Sequence, residues 1–189
     1  MLFGLVVTPL LADTYITFRG ARYYSARRNS FVEVSATGRV AFYRNRRGER
    51  PLWTHRLANI PASVLVTDDG HATVFVDAYY GNHRAPDATV LSFRDRKGRE
   101  LRSYRLDALA EINELMLTTS TAYWYERAWL TDDQHFLYVV TARRKCIAPK
   151  YVNSEADLKI AHDCDTSVPS EVIRFDLDSG SIVERRPAL

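Results

Sequence analysis

Asp68-Asp69 and Asp132-Asp133 offer the most visible chemistry in this chain, each pair being followed closely by a histidine, His71 and His135. Adjacent carboxylates beside an imidazole are the parts of an acid–base pair or of an oxygen-lined Ca²⁺ loop. Turn chemistry accounts for them more simply. The segment Thr67-Asp68-Asp69-Gly70-His71 recurs as Thr131-Asp132-Asp133-Gln134-His135, and each copy stands between two apolar runs. A short carboxylate there bonds its own backbone, while Gly accepts a positive φ. A catalytic histidine is needed once, so a recurring one points to structure. No G-x-S-x-G elbow, phosphate-binding Gly loop, dinucleotide fingerprint or H-E-x-x-H occurs. No catalytic residue is assigned, and the sequence calls for no cofactor and no metal.

Cys146 and Cys164 are the only cysteines, and they flank a polar segment without strand periodicity. In an exported chain such a pair is expected to form a disulfide, worth about 3 kcal/mol in the chain-entropy view. A metal site made by Cys146, His162 and Cys164 would lack the paired C-x-x-C knuckle of structural zinc sites. Export itself is expected from residues 1–12, MLFGLVVTPLLA, which are uncharged and nearly all apolar but too few to span a bilayer. Residues 1–12 are therefore read as a signal peptide, with a cut after Ala12, and 13–189 as one domain acting in the periplasm or as a secreted protein. The n-region carries no Lys or Arg, and Leu10 sits where a small residue is preferred.

Composition suits a single globular domain of 189 residues, with 46% hydrophobic and 12% aromatic residues and many Val and Thr, which favours strands. The net charge of +3 comes with a strong bias to Arg over Lys. An anionic partner would suit that bias, but acids are scattered among the bases along the chain, and nucleic acid is not expected.

A second repeated element places an aromatic residue five positions before a Gly: Tyr43…Gly48, Phe93…Gly98 and Phe175…Gly180. Each lies between strand-like runs and reads as a hairpin. Joined to the Asp-Asp turns, these give four-stranded antiparallel units, the second with strands near 62–66, 72–77, 88–94 and 100–106. The third unit runs from about Thr118 to Arg186 and carries the cysteine segment between its second and third strands. The first, about Tyr15 to Leu57, is least regular, with Phe18 to Tyr24 as its expected first hairpin. One short helix is expected near 107–116, capped by Asp107. This order of strand, Asp-Asp-Gly turn, strand, loop, strand, Asp-x-x-Gly turn and strand resembles bacterial secreted β-propeller-type repeat proteins. The resemblance implies an all-β fold of three such units in an incomplete or open propeller-like stack, closed if at all by self-association across its open sheet edges.

Meander topology sorts the connections. The tight turns fall at one end of the sheets, and the long connections 77–87, 107–127 and 142–169 fall at the other. Long loops on a rigid scaffold are where function concentrates. Tyr79, Tyr80, His83, Arg84, Tyr123, Trp124, Tyr125, Arg143 and Arg144 are therefore the candidate ligand-binding residues, aromatic planes beside guanidinium groups suiting a peptide, a glycan or an envelope protein. Trp124 and Tyr125 can instead pack inward as the start of a strand. The alternative is an envelope hydrolase or lyase, in which His83 or His162 would converge with Asp77, Asp157 or Asp163.

Overall fold

The computed structural model describes residues 20–44, 50–77, 79–80, 87–110, 116–117, 121–142 and 170–188, with the backbone alone described at 79–80, 116–117 and 121–123. Strands β1 (Ala21–Tyr24), β2 (Ser30–Val34), β3 (Arg39–Arg44) and β4 (Trp53–Arg56) form the first sheet in simple meander order. The second sheet joins β5 (Ser63–Val66), β6 (Ala72–Val76), β8 (Thr89–Asp95) and β9 (Glu100–Arg105), while β7 (Tyr79–Tyr80) leaves it. After helix α1 (Leu106–Leu109) come β10 (Met116–Leu117) and β11 (Thr121–Tyr123). The third sheet is β12 (Tyr125–Leu130), β13 (Phe136–Thr141), β14 (Glu171–Asp176) and β15 (Ile182–Pro187). All described pairings are antiparallel. The fold is all-β: three successive four-stranded meanders, the sheet unit of a β-propeller, in an unclosed stack.

The second sheet is the middle layer, which explains its sequence. Val64, Val66 and Phe75 pack against Val32, Val34, Val40, Phe42 and Trp53 of the first sheet. From its opposite face Val74, Leu91 and Phe93 meet Leu137, Val139, Ile173 and Phe175 of the third. Strand β6, Ala-Thr-Val-Phe-Val, is buried at every position because both its faces are covered. A charged side chain lies within the first interface. Buried Arg94 donates to the Gly98 carbonyl and to His55 Nε2, each at 2.8 Å. Burial, and then the charge of Arg94, hold the His55 pKa below its ordinary value, so the ring is the neutral acceptor this contact needs. Gly98 (φ +77°) is required by contact as well as by its turn, since a Cβ there would stand 2.7 Å from Trp53 Cδ2.

Three sequence expectations change. Ala21–Tyr24 is one strand, so the first hairpin is not within Phe18–Tyr24 but turns at 25–29. The helix is a single turn, Leu106–Leu109, with Arg105 and not Asp107 at its N-cap position; Ala110 is already extended and Met116 lies in β10. Its two leucines are buried. The three aromatic–Gly repeats are not equivalent in space. Tyr43 stacks on Phe31 on the outward face of the first sheet, whereas Phe93 and Phe175 face each other at 5.4 Å between the second and third. The turn after β14 closes from Gly180 to Asp176, one residue longer than that from Gly98 to Asp95, and a one-residue offset reverses the face of a strand residue.

Candidate functional site

The tight turns come first, because they decide which end is free. In the second and third sheets the Thr67 and Thr131 hydroxyls accept hydrogen bonds from Ala72 N and Phe136 N, while Asp69 and Asp133 accept from His71 N and His135 N. Gly70 (φ +71°) and Gln134 (φ +58°) take the same left-handed position. The first sheet repeats the geometry with unrelated residues: Ser25 stands for the threonine, accepting from Ser30 N, and Arg28 (φ +57°) is left-handed. These turns touch. Asp68 accepts from Arg27 N at 2.6 Å and from Gln134 Nε2, and its own N–H donates to Gln134 Oε1. His71 lies 2.7 Å from Asp69 and 3.9 Å from Asp178 of the β14–β15 turn. The carboxylates of Asp68, Asp69 and Asp133 are therefore structural fasteners, as turn chemistry predicts, and the turns gather at one end of all three sheets.

The opposite end holds the long connections. Antiparallel pairing of β7 with β11 (Tyr79↔Ala122, Tyr80↔Thr121) and of β11 with β10 builds a small three-stranded sheet, order β10-β11-β7. It joins the connection after β6 to the one before β12. Tyr79, Tyr80 and Tyr123 are thus brought together along two paired strands. Trp124 follows at once and is fully buried, with its indole N–H donating to the Asp77 carbonyl at 2.8 Å and its carbonyl accepting from Ala142 N at 2.9 Å. It holds the wall from inside and offers no face to a ligand. Tyr125 opens β12, half-buried, its ring 5.1 Å from Trp124. His83, Arg84, Arg143, Arg144, Cys146 and Cys164 lie outside the described residues, as do His162, Asp157 and Asp163 and the signal-peptide segment.

Asp77 is the most unusual side chain at this end. It sits where β6 leaves the second sheet, its backbone N–H donating to Val90 O at 2.9 Å. Its Oδ1 is buried without a hydrogen-bond partner among the described residues. Burial pushes its pKa up to about 7. The sequence named Asp77 only as one of several carboxylates, and the indole that binds its main-chain carbonyl stands 47 residues away.

No protein-family model and no curated protein matches the chain. Solved structures similar to it include hydrazine synthase of Kuenenia stuttgartiensis (12% identity, TM-score 0.44, 87% of this chain and 36% of that one). BamB from Moraxella catarrhalis aligns at 13% identity and TM-score 0.46 over 87% of this chain and 35% of that one. The beta-propeller domain of Swd1 from Myceliophteria thermophila aligns at 10% identity and TM-score 0.44 over 88% of this chain and 42% of that one. The chain thus spans roughly two fifths or less of the length of these structures.

Proposed function

We propose that this protein is a binding domain that recognises a peptide, a glycan or an envelope protein through the end where its long connections gather. The observation that carries the reading is the pairing of β7 with β11, which fastens two long connections into one small sheet bearing Tyr79, Tyr80 and Tyr123. The same sheets are locked at their other end by turn-to-turn hydrogen bonds, so recognition and rigidity are divided between the ends. The test is display of wild-type protein against a random-peptide library and an oligosaccharide array. A selected binder should weaken at least about tenfold for the variant carrying Tyr79→Ala, Tyr80→Ala and Tyr123→Ala, and stay within twofold for Asp132→Ala at the turn end. Equal affinity in all three proteins would remove this end as the recognition surface.

The reading includes export to the periplasm or beyond, and a Cys146–Cys164 disulfide. Thiol titration of protein recovered from the periplasm should find no free thiol; two free thiols there would overturn the disulfide. The hydrolase or lyase alternative draws on one observation, the buried Asp77 carboxyl that keeps its proton up to about neutral pH. Glycosidase or esterase turnover that vanishes in a folded Asp77→Asn variant would select it.

A further inference from the structure

The two outward faces of the stack, one on the first sheet and one on the third, carry similar residues with different electrostatics. On the third sheet every described outward arginine of the central rows is engaged. Arg127 lies over Trp129 at 4.9 Å, Arg174 lies over Phe136 at 4.8 Å and 3.5 Å from Glu184, and Arg186 is 3.4 Å from Glu184. On the first sheet Arg22 is paired with Glu33, which sits opposite it. Arg39 and Arg56 are different. They are directly opposite each other on β3 and β4, both exposed, and neither has an acidic partner among the described residues. Like charges directly opposite on neighbouring strands destabilise a sheet. Nothing within the described protein offsets that cost.

The surroundings suggest what would. A surface groove of about 540 Å³ is lined by Arg39, Arg56, Thr37, Thr54 and His55. A second, of about 470 Å³, shares Arg39 and continues past Ser35 to Tyr43 and to the Arg22–Glu33 pair. Together they trace a shallow track across the sheet, lined by guanidinium groups and hydroxyls, with the Glu33 carboxylate engaged by Arg22. Period-two strand geometry is the reason the bases collect here: Arg22, Arg39 and Arg56 share the outward side, with Glu33 the single acid among its described strand residues, while Val32, Val40 and Phe42 take the core side.

We propose that this outward face is a second recognition surface, on which Arg39 and Arg56 jointly grip the acidic groups of a polysaccharide. A carboxylate or sulfate between the two guanidinium groups converts their repulsion into two charge-assisted contacts. The hydroxyls of Ser35, Thr37 and Thr54 suit a polyhydroxylated chain. Two rival partners fit less well. Single-stranded nucleic acid is gripped by stacking on open aromatic faces, and here the Tyr24–Phe31–Tyr43 row is stacked on itself, with Arg28 over Tyr24 and Arg22 over Phe31. An extended peptide adds to a strand edge through main-chain bonds, which a sheet face does not offer.

The test is direct binding of a heparin oligosaccharide and of a polyuronate, each titrated at several salt concentrations, with a single-stranded oligonucleotide of equal charge alongside. Wild-type protein should bind the polysaccharides. The Arg39→Ser, Arg56→Ser variant should lose at least tenfold in affinity, and its salt slope should fall by roughly two counterions. Arg127→Ser, Arg186→Ser removes the same charge from the third sheet and should change affinity less than twofold. Thermal melting of Arg56→Thr should be no lower than wild type, since the repulsion is relieved, so weaker binding is separable from unfolding. Equal losses in the two double variants, tighter binding of the oligonucleotide, or no polysaccharide binding at low salt would each overturn the proposal. None of these outcomes depends on the long-connection end.

Discussion

Asp68 and Asp77 stand at opposite ends of the second sheet and meet opposite fates. Burial alone would raise the Asp68 pKa, but hydrogen bonds from Arg27 N and Gln134 outweigh it and hold the carboxyl below its ordinary value. Asp77 is half-buried, with its Oδ1 enclosed and unpartnered among the described residues, and desolvation pushes its pKa up to about 7. The difference teaches where this fold tolerates tension. At the turn end Asp68 is satisfied bond by bond and fastens the sheets, although His71 Nε2 is buried there without a hydrogen-bond partner among the described residues. At the connection end Asp77 keeps one carboxyl oxygen buried without a hydrogen-bond partner among the described residues, while its main-chain carbonyl takes the Trp124 indole N–H.

The contrast can be broken most severely at Trp124. Replacing this fully buried side chain by Ala removes its packing and the donor to the Asp77 carbonyl, and should cost about 3–5 kcal/mol in urea unfolding. Trp124→Phe keeps much of the volume and should cost less, about 1–3 kcal/mol. A result near zero for Trp124→Ala would mean that the connection end contributes nothing to the core.

The two aspartates should also give pH dependences of opposite sign. Asp77 holds its proton in the folded protein up to about 7, whereas the unfolded chain releases it near 3.8. Its contribution to stability therefore falls as pH rises through that window, by up to about 1.4 kcal/mol per pH unit, and levels off above it. Asp77→Asn should remove that slope from a series of denaturant melts between pH 4 and 8. Asp68, with its depressed pKa, contributes stability that is fully present above its unfolded value of 3.8 and is lost as pH falls further. Asp68→Ala leaves the Arg27 and Gln134 groups unpaired and should cost about 1–3 kcal/mol near neutral pH, with the acid-side slope reduced. Matching slopes for the two aspartate variants would dissolve the comparison.

The smallest effect is expected at Gln134. Its left-handed backbone (φ +58°) is strained for a residue with a side chain, yet that side chain reaches Asp68. Gln134→Gly relieves the strain but cuts both side-chain hydrogen bonds to Asp68, so the two effects oppose and stability should stay within about 1 kcal/mol of wild type. Gln134→Ala keeps the strain and loses the bond, and should be the less stable of the two.

How much of this was legible depended on how local the cause was. The strands of the second unit lie within a residue or so of their expected places, because alternating Val, Leu and Phe between Asp and Gly corners is a local signal. The Ser25–Asn29 turn escaped notice, since it has neither the Asp pair nor the Gly of its counterparts and puts Arg28 in the left-handed position. The helix was overestimated because periodic leucines do not say where packing will stop a turn. At the candidate site, the sequence left Trp124 open between a ligand-facing and an inward-packed side chain, and only its complete burial in the folded chain decides for the interior.

By itself, then, the sequence determined the strand positions, the meander units and the sorting of short turns from long connections, all of which follow from residue types within a few positions of one another. The tertiary structure alone decided that β7 pairs with β11, that the Trp124 indole binds the Asp77 carbonyl, and that exposed Arg39 and Arg56 stand opposite each other on β3 and β4. Those are contacts between residues far apart in the chain. Burial and cross-strand registry come into being only when separate sheets and strands are brought side by side.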